Sequence, residues 1–192
     1  MAEYPAHWES DVVLSDGGTA RIRPIRPDDE RRLLGLYERL SDESLYLRFF
    51  SPVPAPTAAQ LERLTTVDYD THMALVAQLG DEIVAVARYD RTERDEAEVA
   101  FTVEDDQQGR GLGTMLLEHL AVIARSNGIS TFSADTLPNN ARMLNVFADA
   151  GWKAQRSFAD GTVRVRFSIE PTTDSIAAIQ LREQLAEAAS TA

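Results

Sequence analysis

DDQQGRGLGTMLLEHL, residues 105–120, places Gly109, Gly111 and Gly113 within five positions and then runs directly into an apolar helical pattern. A helix start leaves its first N–H groups unpaired and carries partial positive charge, so it attracts an anion wherever side chains do not block approach. The three glycines remove such side chains. Several converging amides and the charge of Arg110 suit a phosphate of a larger cofactor. Taken alone, the loop is equally explained as a tight turn. A Walker loop is excluded, because Gly113 is followed by Thr114 and not by Lys-Ser/Thr. GRGLG also has the wrong spacing for a dinucleotide fingerprint.

Downstream, the pattern predicts a helix from Gly111 to about Ser126, stopped by Asn127-Gly128, and a strand from Ile129 to Asp135. Asn139 or Asn140 then caps a helix running to Ala150, before Gly151. A hairpin of Trp152–Phe158 and Val163–Ile169 about Asp160-Gly161 follows. Upstream, Met73–Leu79, Ile83–Tyr89 and Ala97–Val103 read as an antiparallel meander turning first at Gly80-Asp81. Further back, residues 10–26 predict two short strands around Asp16-Gly17-Gly18, with Ile22 opposite Arg21 and Arg23. Pro27-Asp28-Asp29 opens a helix ending near Ser41, with acids in its first turn. A short helix through Phe50, a proline-rich break and a helix from about Thr57 to Thr66 complete that half; these two short helices are placed to cover a substrate entrance.

Helices interrupting a mostly antiparallel sheet indicate an α+β fold, and the strand–glycine loop–helix–strand unit is a βαβ element. The loop therefore sits at the C-terminal end of its strand. Residues 10–170 are expected to form one domain. Residues 171–192 change to a polar hinge and a helix carrying Ile176, Ile179 and Leu185 without a further core, either an end helix or the start of a linker.

A chain of 192 residues, 44% apolar, is long enough to bury one core. It has no cysteine, so disulfides and thiolate chemistry are excluded. His7, His72 and His119 are scattered and make a poor metal site. A net charge of −12 disfavours nucleic acid as a partner; it either keeps the protein soluble or steers a basic substrate. With no long apolar run and no secretory pattern at the start, a cytoplasmic protein away from membranes is expected.

Gln108-x-x-Gly111-x-Gly113 resembles the acetyl-CoA pyrophosphate loop of the GNAT superfamily of acyltransferases. ARIRPIRPDD is similar to the first strand and helix start of many members, and Asn140 with Gly151-Trp152 is similar to the family segment around its fourth helix. The resemblance covers roughly Val12 to Glu170. It implies a mixed sheet splayed open between the strand before the loop and the strand after its helix, with acetyl-CoA in the gap. The loop residues Gln108, Gly109, Arg110, Gly111, Leu112, Gly113 and Thr114 would then hold the cofactor. The backbone of Phe101, Thr102 and Val103 would pair with the pantetheine amides, since splaying leaves those groups without a neighbour. Asn140 is either a cofactor contact or simply a helix cap. More narrowly, LSDESLYLRFFSP with VDYDTHMALVA resembles the GNAT domain of bacterial protein lysine acetyltransferases fused to an NDP-forming acyl-CoA synthetase-like region. That resemblance implies a chain continuing beyond residue 192 and a folded protein substrate, an AMP-forming acyl-CoA synthetase.

Acyl transfer to an amine needs the amine neutral, yet a free lysine has a pKa of about 10.4, so a base must remove a proton. In the family this base is often a glutamate on the strand before the loop. In AEVAFTV (97–103), Glu98 shares a face with Ala100 and Thr102 amid apolar neighbours. It is expected to be partly desolvated and so a better proton acceptor; a plain solvent-facing glutamate is the other reading. Glu104 is the runner-up. At the position where the family often has a tyrosine general acid stands Phe147, which cannot donate a proton and reads as core. The alternatives to a protein lysine acetyltransferase are a small-amine N-acetyltransferase and a CoA-sensing module that does not catalyse.

Overall fold

The alternation in residues 10–24 builds one edge of a sheet. β1 (Ser10–Val13) pairs antiparallel with β2 (Thr19–Pro24), Ser10 opposite Ile22, through a turn in which Gly17 takes a φ of 81°. The computed structural model describes residues 2–51, 55–159 and 161–190. β3 (His72–Leu79), β4 (Glu82–Arg91) and β5 (Glu96–Val103) continue as the expected meander. β6 (Thr131–Thr136), β7 (Gln155–Ala159) and β8 (Thr162–Ser168) finish the sheet in the order β1-β2-β3-β4-β5-β6-β8-β7. Every pairing is antiparallel except β5 with β6. Asp160, expected in the last turn, and the 52–54 part of the proline-rich break lie outside the described residues.

Helices cover both faces, giving the α+β architecture. On one side lie α1 (Glu30–Arg39), α2 (Asp42–Phe49) and α3 (Ala58–Thr65), whose Leu33, Leu36 and Leu61 pack on Ile25, Val76 and Val86. Ser41 and Thr57 cap α2 and α3 by accepting from Ser44 N–H and Gln60 N–H. On the other side lie α4 (Leu112–Ser126) and α5 (Ala141–Asp149). Leu116, Leu117 and Leu120 of α4 are fully buried against the sheet, each contributing ~1.5–3 kcal/mol of hydrophobic stabilisation. Arg23 does lie opposite Ile22 on the strand, yet it is buried: its guanidinium grips Asp29 through two bonds of 2.6 and 2.7 Å. Asp29 also accepts from Arg26 N–H, which fixes the entry into α1.

α6 (Thr173–Ser190) leaves the sheet after β8. Among the described residues it adds nothing to the two main clusters, and it leaves Ile176, Leu181 and Leu185 exposed. It is nevertheless tied down. A Cβ on Gly151, at φ +75°, would lie 2.8 Å from the Asp174 carbonyl oxygen, so only glycine lets the helix start this close. Ser175 and Ala186 are buried, and Arg182 pairs with Glu118 on α4.

Candidate active site

The parallel pairing of β5 with β6 lasts for three residues, Glu96–Thr131, Ala97–Phe132 and Glu98–Ser133, and then stops. On its other edge β5 stays paired with β4 as far as Val103. The two central strands therefore part like a fork, and the β6-facing backbone of β5 beyond Glu98 has no strand partner. Into this gap opens a cleft of about 610 Å³, large enough for a substantial part of a cofactor.

Segments from across the chain line it. β5 supplies Glu98 to Val103 and β6 supplies Ala134 to Thr136. The turn after β5 supplies Gln107 to Gly109, and the start of α4 supplies Gly111 to Thr114. Asn140, Arg142 and Met143 come from the start of α5, while Ser44, Leu47, Arg48 and Phe50 come from α2 and its end. Of the two short helices expected at the entrance, α2 borders the cleft and α3 does not.

The glycines divide their work. Gly109 and Gly111 have φ of +77° and +86°, and no heavy atom lies within 4 Å of a Cβ on Gly109. Those positions need the left-handed backbone and leave it bare. Gly113 is different: its Cβ would come 3.1 Å from Val146, so it serves the close approach of α4 to α5. The α4 amides at this mouth have no side-chain cap. Bare amides, a positive helix end and an unpaired strand edge fit the pyrophosphate and pantetheine of acetyl-CoA, and Gln108, Gly109, Gly111, Leu112, Gly113 and Thr114 are the loop residues that would hold it.

Two loop side chains do something else. Gln108 donates to the Val103 carbonyl at 3.1 Å and to Ser44 Oγ at 3.5 Å, joining α2 to the end of β5 and occupying one of the strand carbonyls expected for pantetheine. Arg110 does not line the cleft. Its guanidinium is taken by Asp16 at 2.7 Å and by Gln107, and the turn at Gly18 closes over it. The charge expected at the anion is thus spent on the β1–β2 turn.

Glu98 stands on the cleft wall where the fork begins, but it is exposed, not desolvated. The reason is the pleat. Val99 and Phe101 point to the α4 side, whereas Glu98 faces the same way as Asp90, its β4 partner in register. Around it run the pairs Glu96–Arg166 and Asp135–Arg164, at 2.8 and 2.7 Å. Glu104 is outside the cleft and paired with Arg39 at 2.8 Å, which raises the arginine's pKa. Phe147 is core, 1% exposed and packed edge-on to Phe101 and tilted on Phe167. Asn140 caps α5, accepting from Met143 N–H at 3.1 Å, and lines the cleft as well.

Sequence reasoning did not single out Arg48, Arg142 or Arg182, the three guanidinium groups that border the cleft among the described residues. Arg142 lies two residues after the α5 cap, a position the pattern makes findable. Arg182 had no signal, being 42 residues beyond Asn140 in a helix without a core. Nor did sequence reasoning single out Asp105, the anchor of α2: it accepts from Ser41 N–H and from the Ser41 and Ser44 hydroxyls. Burial alone would raise its pKa, but these bonds outweigh that and hold it low.

The model of the acetyltransferase (GNAT) family matches residues 33–152. An acetyltransferase of Pseudomonas aeruginosa is 34% identical over 162 residues, covering 81% of this chain and 86% of its own. Acetyltransferase Pat of Mycolicibacterium smegmatis is 41% identical over 144 residues; 73% of this chain is matched, but only 43% of that protein. Among solved structures, the GNAT domain of S. lividans PAT superposes with a TM-score of 0.82 at 51% identity, covering 86% of this chain and 99% of that one.

Proposed function

We propose a protein lysine as the acceptor for this chain, which belongs to the acetyltransferase (GNAT) family. As a member it is an acetyl-CoA-dependent N-acetyltransferase, with acetyl-CoA as cosubstrate. The further reading is direct transfer in a ternary complex onto a lysine of an AMP-forming acyl-CoA synthetase. The observation that carries it is the place of Glu98: an exposed carboxylate on the wall of the cleft, where β5 and β6 part, accessible to an amine presented by another protein's surface. The resemblance of LSDESLYLRFFSP and VDYDTHMALVA to the lysine acetyltransferase subfamily supports it. So does the −12 charge, which favours encounter with a lysine-bearing surface. In the same reading, the natural protein continues past α6 into a synthetase-like region.

Acetyl-CoA supplies the activated acyl group; the residues of this chain handle position and protons. The loop amides and the start of α4 would hold the phosphates, and the unpaired β5 edge would offer its backbone groups to the pantetheine amides. Glu98 takes the proton that the lysine ammonium must lose before attack. Phe147 has no proton to give, so the leaving sulfur draws none from that position.

Mass-spectrometric detection of acetyl groups on candidate synthetases tests the acceptor. The rate on a folded synthetase should exceed that on a peptide copied from around its lysine, and should drop as salt rises, since screening cuts the reach of exposed charges to about 8 Å at physiological ionic strength. Glu98→Gln should lower turnover by ~10²-fold or more with little change in acetyl-CoA affinity. Far higher catalytic efficiency on polyamines or other small amines than on any synthetase would refute the protein acceptor. Unchanged turnover in the Glu98 variant would refute the base.

A further inference from the structure

Arg182 reaches the cleft from α6, the helix that follows the last strand. It lies outside residues 33–152, the span the family model matches. There it joins Asn140 and Arg142 of α5 and Thr114 of α4 on the cleft wall. Its side chain is 18% exposed, its one acidic partner among the described residues is Glu118, and its Nε is buried with no acceptor at all. A guanidinium carries five N–H donors in a planar fork, so a single carboxylate leaves it under-satisfied. A buried donor without a partner asks for an explanation, and a ligand oxygen supplies one. Arg142 has no ion-pair partner among the described residues, so two guanidinium groups border the cleft here and Glu118 is the one carboxylate ion-paired to either, while Asp149 of α5 also lines the wall.

The position selects the ligand group. The loop amides that suit a pyrophosphate are at Leu112 to Thr114, and Glu118, which braces Arg182, is one helical turn further along α4, ~6 Å beyond Thr114. CoA carries one more phosphate, on the 3′ oxygen of its ribose, and only the ribose separates it from the pyrophosphate. A phosphate dianion is the group for which Arg is best shaped. We propose that Arg182, braced by Glu118 and assisted by Arg142, binds the ribose 3′-phosphate of acetyl-CoA, making α6 a working part of the cofactor site. This holds whichever amine is the acceptor. It gives a reason for the close seat of α6 on Gly151, because a helix free to swing away could not deliver the guanidinium.

Calorimetric titration of the whole chain with CoA and with 3′-dephospho-CoA tests it. The unaltered protein should prefer CoA. Arg182→Ala should weaken CoA ~10- to 100-fold, the range expected on losing hydrogen bonds to a charged group, while dephospho-CoA affinity stays within about twofold. Arg182→Lys should keep part of the preference, and Glu118→Gln should lose part of it by freeing the brace. The thermal midpoint of each variant without ligand serves as the folding control. Equal weakening of both ligands by Arg182→Ala would overturn the proposal, since Arg182 would then act on the pyrophosphate or only hold α6 in place. So would unchanged affinity for both. Failure of the unaltered protein to bind either ligand would instead remove the cofactor cleft itself, a distinct outcome.

Discussion

Gly111 and Gly128 form a matched pair at opposite ends of α4. Both have positive φ, +86° and +78°, and neither shows a prohibitive contact: a Cβ on Gly111 would meet Met115 Cε at 3.4 Å, and one on Gly128 would meet nothing within 4 Å. Placing aspartate at each adds the same charge and the same left-handed strain, ~1–2 kcal/mol. The helix dipole then separates them. A carboxylate is stabilised by ~0.3–1 kcal/mol at the N-terminus and destabilised by a similar amount at the C-terminus. Gly111→Asp should therefore cost about 1 kcal/mol and Gly128→Asp about 2. For a chain of this size those costs lower the thermal midpoint by ~2–4 °C and ~4–8 °C. Cofactor binding should follow the reverse order. Two like charges ~5 Å apart at an effective dielectric of 20 repel by ~3 kcal/mol, about two orders of magnitude in Kd. Gly111→Asp, the more stable variant, should lose acetyl-CoA binding by ~100-fold or more, and Gly128→Asp, ~25 Å away along α4, should bind normally. Thermal scans and calorimetry measure both quantities on the same samples. Wild-type affinity in Gly111→Asp would refute the placing of a phosphate at this helix end.

Asn140→Ala should lower the thermal midpoint by ~2–4 °C through loss of the α5 cap, worth about 1 kcal/mol. Asn140→Asp should keep that cap yet weaken acetyl-CoA in calorimetry, because it adds a negative charge to the cleft wall; equal binding by both variants would leave Asn140 a cap alone. Glu9 accepts from Tyr4 and pairs with Arg21 and Arg26, which holds its pKa down at about 2 against an ordinary value of 4.5. A depressed folded pKa gives stability that is complete above the unfolded value and is lost as pH falls through the folded one. The midpoint deficit of Glu9→Gln should then be full at pH 7 and shrink between about pH 4.5 and 2; a deficit independent of pH would assign it to packing.

The order of elements was legible because each rests on local rules: the apolar spacing of α4, the cap at Asn140, the turns at Gly80 and Gly128. The fork between β5 and β6 was legible only through resemblance, since nothing in either strand's pattern says where their pairing ends. Side-chain destinations were less readable. Arg110 looked like a phosphate ligand because the loop was considered alone, while the partner that captures it, Asp16, is 94 residues away in sequence. Glu98 looked desolvated because its sequence neighbours are apolar, yet in a strand those neighbours point to the other face. Arg182 could not be read at all. A helix with no core of its own gives no sign of which groove it will lie beside.

The exposure of Glu98 changes how the proposed chemistry must be balanced. A desolvated base would remove the lysine proton by virtue of its raised affinity for it; an exposed one must rely on position, at the one place where the strands part. The rim around it offers little help to a charged amine from bulk solvent, because Glu96 and Asp135 are already neutralised by Arg166 and Arg164. Glu98, with no ion-pair partner among the described residues, is then the carboxylate left to attract an ammonium group, and Asp90 of β4, which has His72 at 3.9 Å, faces it in register. An acceptor lysine arriving there meets negative charge, which favours its encounter but also its protonated form. Productive transfer in this reading therefore depends on closing that rim with the acceptor protein itself. Covering the rim removes water from around Glu98 and restores the desolvation that the free protein lacks, and a free small amine covers far less of it.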